Sequence, residues 1–185
     1  MLTIGVVADT HVPDRISAVP AGAFEIFRQQ NVAAILHAGD LSDPRILDDF
    51  AAIAPVYAVQ GNRDIWRRAG RDLPLKRVLE FEGVKIGMTH GHGGLGGYLW
   101  EKVLYYTVGF STERVLRNLA TRFPADTDII VFGHTHRPVI RRRNGQLFFN
   151  PGSLGPLYSF ARGPVVGLLQ IEAGYARAEL LRVNL

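Results

Sequence analysis

Five apolar runs in this chain each stop at a short motif of Asp, Asn or His with glycine close by. The first, residues 2–8, is nearly continuous and rich in β-branched side chains, and it ends at Asp9-Thr10-His11. A run without polar alternation is what a strand buried on both faces needs. Residues 33–37 and 56–60 repeat the design and lead into Gly39-Asp40 and Gly61-Asn62-Arg63-Asp64. Between these runs, residues 21–30 read as a helix carrying Phe24, Ile26 and Phe27. Asp43-Pro44 opens a second helix, with Asp43 suited to the N-cap and Pro44 to the first turn. The β-α-β-α-β order predicts parallel strands joined by right-handed crossovers.

The middle of the chain changes character. Residues 76–81 and 84–88 flank Glu82-Gly83 and read as an antiparallel hairpin. A glycine-rich loop is expected over 90–97, then helix from 98 to 123, with Leu99, Val103, Tyr106 and Phe110 at helical spacing. Gly109 with Ser111 is expected to kink or split it. Strands return at 128–132, at 139–143 and 147–149 around the Asn144-Gly145 turn, and in a last hairpin of 165–172 with 176–183. Crossovers mixed with hairpins predict an α/β fold of two mixed sheets packed face to face, with helices outside.

A length of 185 residues suits one domain with a sizeable core, expected over 1–185. The chain has no cysteine, so disulfides and thiolate metal sites are excluded and any metal must bind through nitrogen and oxygen. The N-terminal segment has no basic leader, and no apolar stretch reaches membrane-spanning length. A cytoplasmic protein without a membrane partner is therefore expected. The net charge of +4 admits anionic partners, nucleic acid among them, but fits an ordinary soluble surface better.

The polar motifs are Asp9-Thr10-His11, Gly39-Asp40, Gly61-Asn62-Arg63-Asp64, His90-Gly91-His92 and Gly133-His134-Thr135-His136. The carboxyl ends of strands are where α/β sheets assemble sites. Any one of these motifs is weak evidence, but five of the six histidines fall within them. Histidines scattered through a core or over a surface would not gather in this way. Asp, His and Asn supply oxygen and borderline nitrogen donors that suit Mn, Fe, Ni or Zn better than Ca. Seven such residues are too many for one tetrahedral ion and suit two.

The order D-x-H, G-D, G-N-x-D, H-G-H, G-H-x-H resembles the calcineurin-like metallophosphoesterase superfamily, and within it the small single-domain bacterial and archaeal phosphodiesterases. Asn150-Pro151-Gly152-Ser153 is similar to that subgroup as well. The resemblance implies a four-layer αββα sandwich and two divalent ions, with manganese expected and iron, nickel or zinc as alternatives. It assigns Asp9, His11 and His136 to one ion, and Asn62, His90 and His134 to the other. Asp40 would bridge them. The activity implied is hydrolysis of small phosphodiesters or nucleotides, by attack on phosphorus of a hydroxide shared between the metals. Phosphomonoesters are the alternative substrate. A different class is set by relatives such as the small retromer subunit, which look like protein-binding scaffolds that have lost ligands; all seven positions are filled here.

One position departs from the pattern. Many members carry His directly after the Asn, as the donor to the leaving oxygen, where this chain has Arg63. An arginine stays charged and makes a poor acid, but it can clamp a phosphoryl oxygen, the alternative being a side chain in solvent. His92 is then the candidate proton donor, against a supporting or loop role. Core packing is expected for His37, and Asp64 is expected to order its turn. Arg141, Arg142 and Arg143 are read as a solvated face rather than an anion-binding rim. Tyr98, Trp100, Tyr105 and Tyr106 suggest a substrate platform or, preferably, a contact within a homodimer.

Overall fold

Strand β1 (Leu2–Val7) is buried along all but its first residue, as its unbroken apolar run requires. The computed structural model describes residues 1–66, 72–155 and 163–184, apart from the side chains of Trp66, Leu95, Glu101 and Tyr105. After β1 come α1 (Ala21–Gln29), β2 (Ala34–His37), α2 (Ile46–Ala51), β3 (Val56–Ala58), β4 (Lys76–Phe81) and β5 (Val84–Thr89). Helices α3 (Gly94–Val108) and α4 (Thr112–Ala120) follow, then β6 (Ile129–Val131), β7 (Val139–Arg143), β8 (Gln146–Asn150), β9 (Val165–Glu172) and β10 (Tyr175–Arg182).

The strands form two five-stranded sheets, ordered β10-β9-β1-β2-β3 and β4-β5-β6-β8-β7. β1, β2 and β3 run parallel, with β9 and β10 added antiparallel. In the second sheet β5, β6 and β8 are parallel and the outer strands β4 and β7 pair antiparallel. Ile4, Val6 and Leu36 of the first sheet meet Ile86, Val131 and Phe149 of the second in one buried layer. The opposite faces are covered by α1 and α2 on one side and by α4 on the other, through Phe27 and Phe50, and through Leu116 and Leu119. The result is the expected αββα sandwich.

Each interface between layers has a glycine where a phenylalanine ring comes closest. A Cβ on Gly5 would meet the Phe27 ring at 2.8 Å, one on Gly87 the Phe123 ring at 2.6 Å, and one on Gly167 the Phe149 ring at 2.3 Å. At native packing density these rings have nowhere to retreat, so the glycines let the layers approach.

Two local expectations are revised and a third holds. The second helix begins at Ile46, and Asp43 does not cap it. The Asp43 carboxylate instead accepts from the Arg45 backbone N–H and faces its guanidinium, a turn that takes the acceptor away from the helix. The glycine-rich stretch is loop only as far as Gly93, because α3 begins at Gly94. There Gly97 is needed: its missing Cβ would sit 2.4 Å from the His92 carbonyl oxygen. The long helix does split near Gly109 and Ser111, and the Ser111 hydroxyl caps α4 by accepting from the Arg114 N–H.

Candidate metal centre

All five polar motifs meet at one end of the sandwich. Asp9 and His11 follow β1, Asp40 follows β2 and Asn62 follows β3; His90 follows β5, and His134 and His136 follow β6. The parallel strands of the two sheets deliver them to the same edge of the inner layer. Ten non-glycine residues have positive φ among the described residues, and five of them are Asp9, His11, Asp40, His134 and His136. Backbone held in the left-handed region at several neighbouring positions points to a site whose side chains are aimed at the expense of local comfort.

Two overlapping groups of donors result. Donor atoms of Asp9, His11 and His136 lie within 4.8 Å of one another, and so do those of Asp9, Asp40 and His90. Asp40 reaches both sides, with Oδ1 3.4 Å from His90 Nε2 and Oδ2 3.7 Å from His11 Nε2. Asn62 Oδ1 lies 3.1 Å from His90 Nε2. His134 stands beside this second group, its ring 5.0 Å from that of His90, without joining a donor cluster among the described residues.

Supporting contacts fix these side chains. His90 Nδ1 lies 2.8 Å from the Ala38 carbonyl, to which it donates, so Nε2 is the nitrogen turned to the centre. The buried Asp64 carboxylate accepts from the backbone N–H groups of Asp40, Ser42 and Gly61 at 3.0, 3.0 and 2.7 Å. Its role in the turn thus extends to tying two ligand loops together. A Cβ on Gly61 would lie 2.1 Å from the Asp40 nitrogen, so only glycine lets those loops touch. The Gly39 N–H donates to His37 Nδ1, which leaves His37 Nε2 to donate to the Thr10 hydroxyl and that hydroxyl to donate to the Asp40 carbonyl. His37 is therefore a core residue that braces the Asp40 loop, as expected.

The electrostatics are those of anionic and neutral donors pressed together. Burial pushes the Asp9 carboxyl up, reinforced by Asp40 and opposed by His90, to about 8. Burial also works to raise Asp40, but His90 and His11 outweigh it and hold Asp40 well below the usual carboxylate range. His90 is the counterpart: burial disfavours its charge, yet Asp40 and Asp9 lift it to about 10. Burial first, then neighbouring positive charge, lowers His11 to about 4 and His136 to about 3, leaving both neutral at pH 7.

Such a set fits divalent cations. The Nε2 atoms of His11 and His136 face each other at 3.3 Å, where one proton can serve only one of two lone pairs. His11 Nδ1 and both ring nitrogens of His92 are buried without a hydrogen-bond partner among the described residues. The donors are all nitrogen and oxygen, as borderline divalent ions prefer.

His92 and Arg63 are placed differently from the clusters. The buried His92 ring is tilted against those of His90 and His134, and burial together with those two neighbours holds it down at about 3. Arg63 enters the site by its backbone N–H, which donates to Asp40 Oδ1 at 2.8 Å, while its side chain is exposed. Arg141 and Arg143 pair with Glu113, and Arg142 reaches the Ala176 carbonyl, in keeping with a solvated face. Tyr98 packs edge-on to His134 at 6.1 Å, Trp100 and Tyr106 are exposed, and the Tyr105 side chain lies outside the described residues.

Four residues near the centre escape a motif reading. Asn150 Nδ2 donates to the Gly133 carbonyl, the Ser153 hydroxyl donates to the Asp9 carbonyl, and Arg122 donates to the Gly91 carbonyl. Arg15 Nη1 lies 3.5 Å from His136 Nε2. Only the Asn150–Ser153 segment carries a signal in sequence, its resemblance to the subgroup.

Residues 2–174 match the calcineurin-like phosphoesterase superfamily domain. A probable metallophosphoesterase of Methanothermobacter thermautotrophicus is 38% identical over 183 residues, covering 99% of this chain and 94% of that protein. A phosphodiesterase of Methanocaldococcus jannaschii is 26% identical, covering 92% and 94%. The fold is shared with Entamoeba histolytica Vps29 solved with zinc, at a TM-score of 0.69 and 23% identity over 99% of this chain and 100% of that one. Fold, site and relatives together define a class, the metal-dependent phosphoesterases. Within it, the chain belongs to the calcineurin-like phosphoesterase superfamily.

Proposed function

We propose that residues 1–185 form a single dinuclear metallophosphoesterase domain that hydrolyses small phosphodiesters or nucleotides. The observation that carries the reading is the pair of overlapping donor groups, Asp9-His11-His136 and Asp9-Asp40-His90, spanned by the two oxygens of Asp40. Asp9, His11 and His136 would hold one ion, Asn62, His90 and His134 the other, and Asp40 both. Two divalent ions, manganese before iron, nickel or zinc, would supply an activated water and neutralise charge on the phosphoryl group. The diester preference leans on the phosphodiesterase relative.

The chain's own residues supply aim and proton control. His90 is held by Ala38, the Asp40 loop by Asp64 and Thr10, and the His134 loop by Asp9, whose carboxylate accepts the His134 N–H at 3.0 Å. His92 is the proton donor of this reading: neutral in the dry interior, it must first take up a proton from solvent when anionic substrate charge is brought against the centre, and it then passes that proton to the leaving oxygen. Arg63, exposed at the rim, clamps a phosphoryl oxygen. Trp100 and Tyr106 on α3 support a homodimer contact, and a cytoplasmic location, with small phosphate esters favoured over nucleic acid as partners, completes the reading. No helix among the described residues is long and apolar enough to cross a membrane.

The test is turnover by metal-stripped protein resupplied with Mn, Ni, Zn or Mg, on bis-aryl and mono-aryl phosphates. Faster diester cleavage is expected. No turnover with any of the four ions would sink the enzyme reading, and faster monoester cleavage would move it to the phosphomonoesterases.

A further inference from the structure

The loop of His90, Gly91 and His92 is held by contacts from elsewhere in the fold. Gly91 and Gly93 lie in the left-handed region, at φ of 114° and 72°, and no regular element continues past β5 until α3 begins at Gly94. Two carbonyls of the loop are tied to distant parts of the chain. That of His90 accepts from the Gly133 N–H at 3.2 Å, and that of the buried Gly91 accepts from Arg122 Nη1 at 2.7 Å. A buried carbonyl requires a donor, and a guanidinium gives it a charge-assisted one.

Arg122 is itself fixed. Its Nε donates to Asn118 Oδ1 at 2.9 Å, one turn back in α4, and its own carbonyl accepts from Lys76 Nζ of β4 at 3.2 Å. The next residue, Phe123, is buried with its ring against Gly87 of β5. Arg122 therefore ties the loop after β5 back to β5 itself, through the end of α4 rather than along the chain. The guanidinium also reaches Gly93, where an added Cβ would meet Nη2 at 3.0 Å. His90 is thus gripped from both sheets, by the Ala38 carbonyl of the first and through Arg122 from the second.

We propose that Arg122 is a positioning residue of the centre, which sets the His90 loop and through it the ion expected among Asn62, His90 and His134. This rests on the dinuclear reading. Arg122 acts on the backbone of one ligand loop, so the ion on the His11–His136 side should not feel its loss.

The test is manganese binding to the full chain by titration calorimetry, with electron paramagnetic resonance to tell a coupled pair of ions from a lone one. Arg122→Met is expected to weaken one of the two ions about 10- to 100-fold, the range for partners that orient a metal ligand. At manganese levels that fill both sites in the parent, the coupled signal should give way to that of a lone ion. Arg122→Lys, which keeps the charge but not the fork, and Asn118→Ala, which frees the guanidinium alone, are expected to show the same loss in smaller measure. Asn118 is exposed, so its variant decides the matter should Arg122→Met fail to fold. In His136→Ala, where the ion left is the one beside His90, Arg122→Met is expected to weaken that ion by the same factor. Both ions held as in the parent, both weakened alike, or a remaining ion in His136→Ala that is indifferent to Arg122 would overturn the proposal. Parent protein that binds fewer than two ions would overturn the dinuclear reading and this proposal with it, a result seen before any variant is made.

Discussion

The Nε2 atoms of His11 and His136, residues 125 apart in the chain, lie 3.3 Å apart with their rings stacked at 14°. The two come from different sheets, so the edge of the inner layer is where the halves of the fold are joined chemically as well as by packing. Both imidazoles are held neutral by burial, ready to share a cation. Replacing His136 with Ala should cost one of two bound ions and leave the fold intact, measured as metal per chain and by thermal melting.

Asp40→Asn should act on both ions at once. Its two oxygens face His90 and His11, and a neutral amide offers one weak acceptor in their place. We expect kcat/KM on bis-aryl phosphate to fall by at least about 100-fold, or about 2.7 kcal/mol of transition-state stabilisation. Activity near the parent value would refute the bridging role.

Asp64→Ala should destabilise the protein even though Asp64 is not one of the seven candidate ligands. Three buried N–H groups, those of Asp40, Ser42 and Gly61, lose the carboxylate that accepts from them. Leaving buried donors unmet costs about 1–3 kcal/mol each, so a loss of about 3 kcal/mol or more is expected in urea melts. Metal affinity should fall with it, because the Asp40 and Asn62 loops part.

Gly61→Ala and Gly96→Ala form a contrasting pair. The first places a Cβ 2.1 Å from the Asp40 nitrogen and 2.2 Å from its Oδ1, while nothing lies within 4 Å of a Cβ on Gly96 in α3. The first should abolish metal binding. The second should stabilise α3 by about 0.5–1 kcal/mol. Equal metal content in the two variants would contradict the tight approach of the loops.

The metal-free protein should lose stability as pH rises above about 6.5. Asp9 titrates near 8 when folded against 3.8 as a free carboxyl, and His90 near 10 against 6.5, so above 6.5 the folded state binds more protons than the unfolded one. Below 6.5 the balance reverses, because His11, His37, His92 and His136 stay neutral in the fold and protonate in the unfolded chain. The contribution of Asp9 is exhausted as pH passes 8 and that of His90 as pH climbs through 10. Manganese must displace these protons, so its affinity should increase from pH 6 to 9 with proton release on binding. Melts in chelator at both pH values, with calorimetric titrations in two buffers, check this.

Much of this was readable from the chain. The strand ends could be found because an apolar run breaking into Asp, His and Gly signals both burial and its end. The hairpin turns at Glu82-Gly83 and Asn144-Gly145 could be found because Gly83, Asn144 and Gly145 tolerate the positive φ that they adopt. What stayed hidden depends on contacts between distant loops. Asp64 as a triple acceptor, Arg122 on Gly91 and Arg15 against His136 follow from how the sheets meet, which no local pattern encodes. Asp43 misled for a local reason: its carboxylate prefers the turn with Arg45 to a helix end three residues on.

The central claim is two ions in one centre. Manganese-loaded crystals examined by anomalous scattering should show two peaks per chain, one among Asp9, His11 and His136 and one among Asn62, His90 and His134, with Asp40 between them. A single peak, or none at these residues in protein shown to bind manganese, would contradict it.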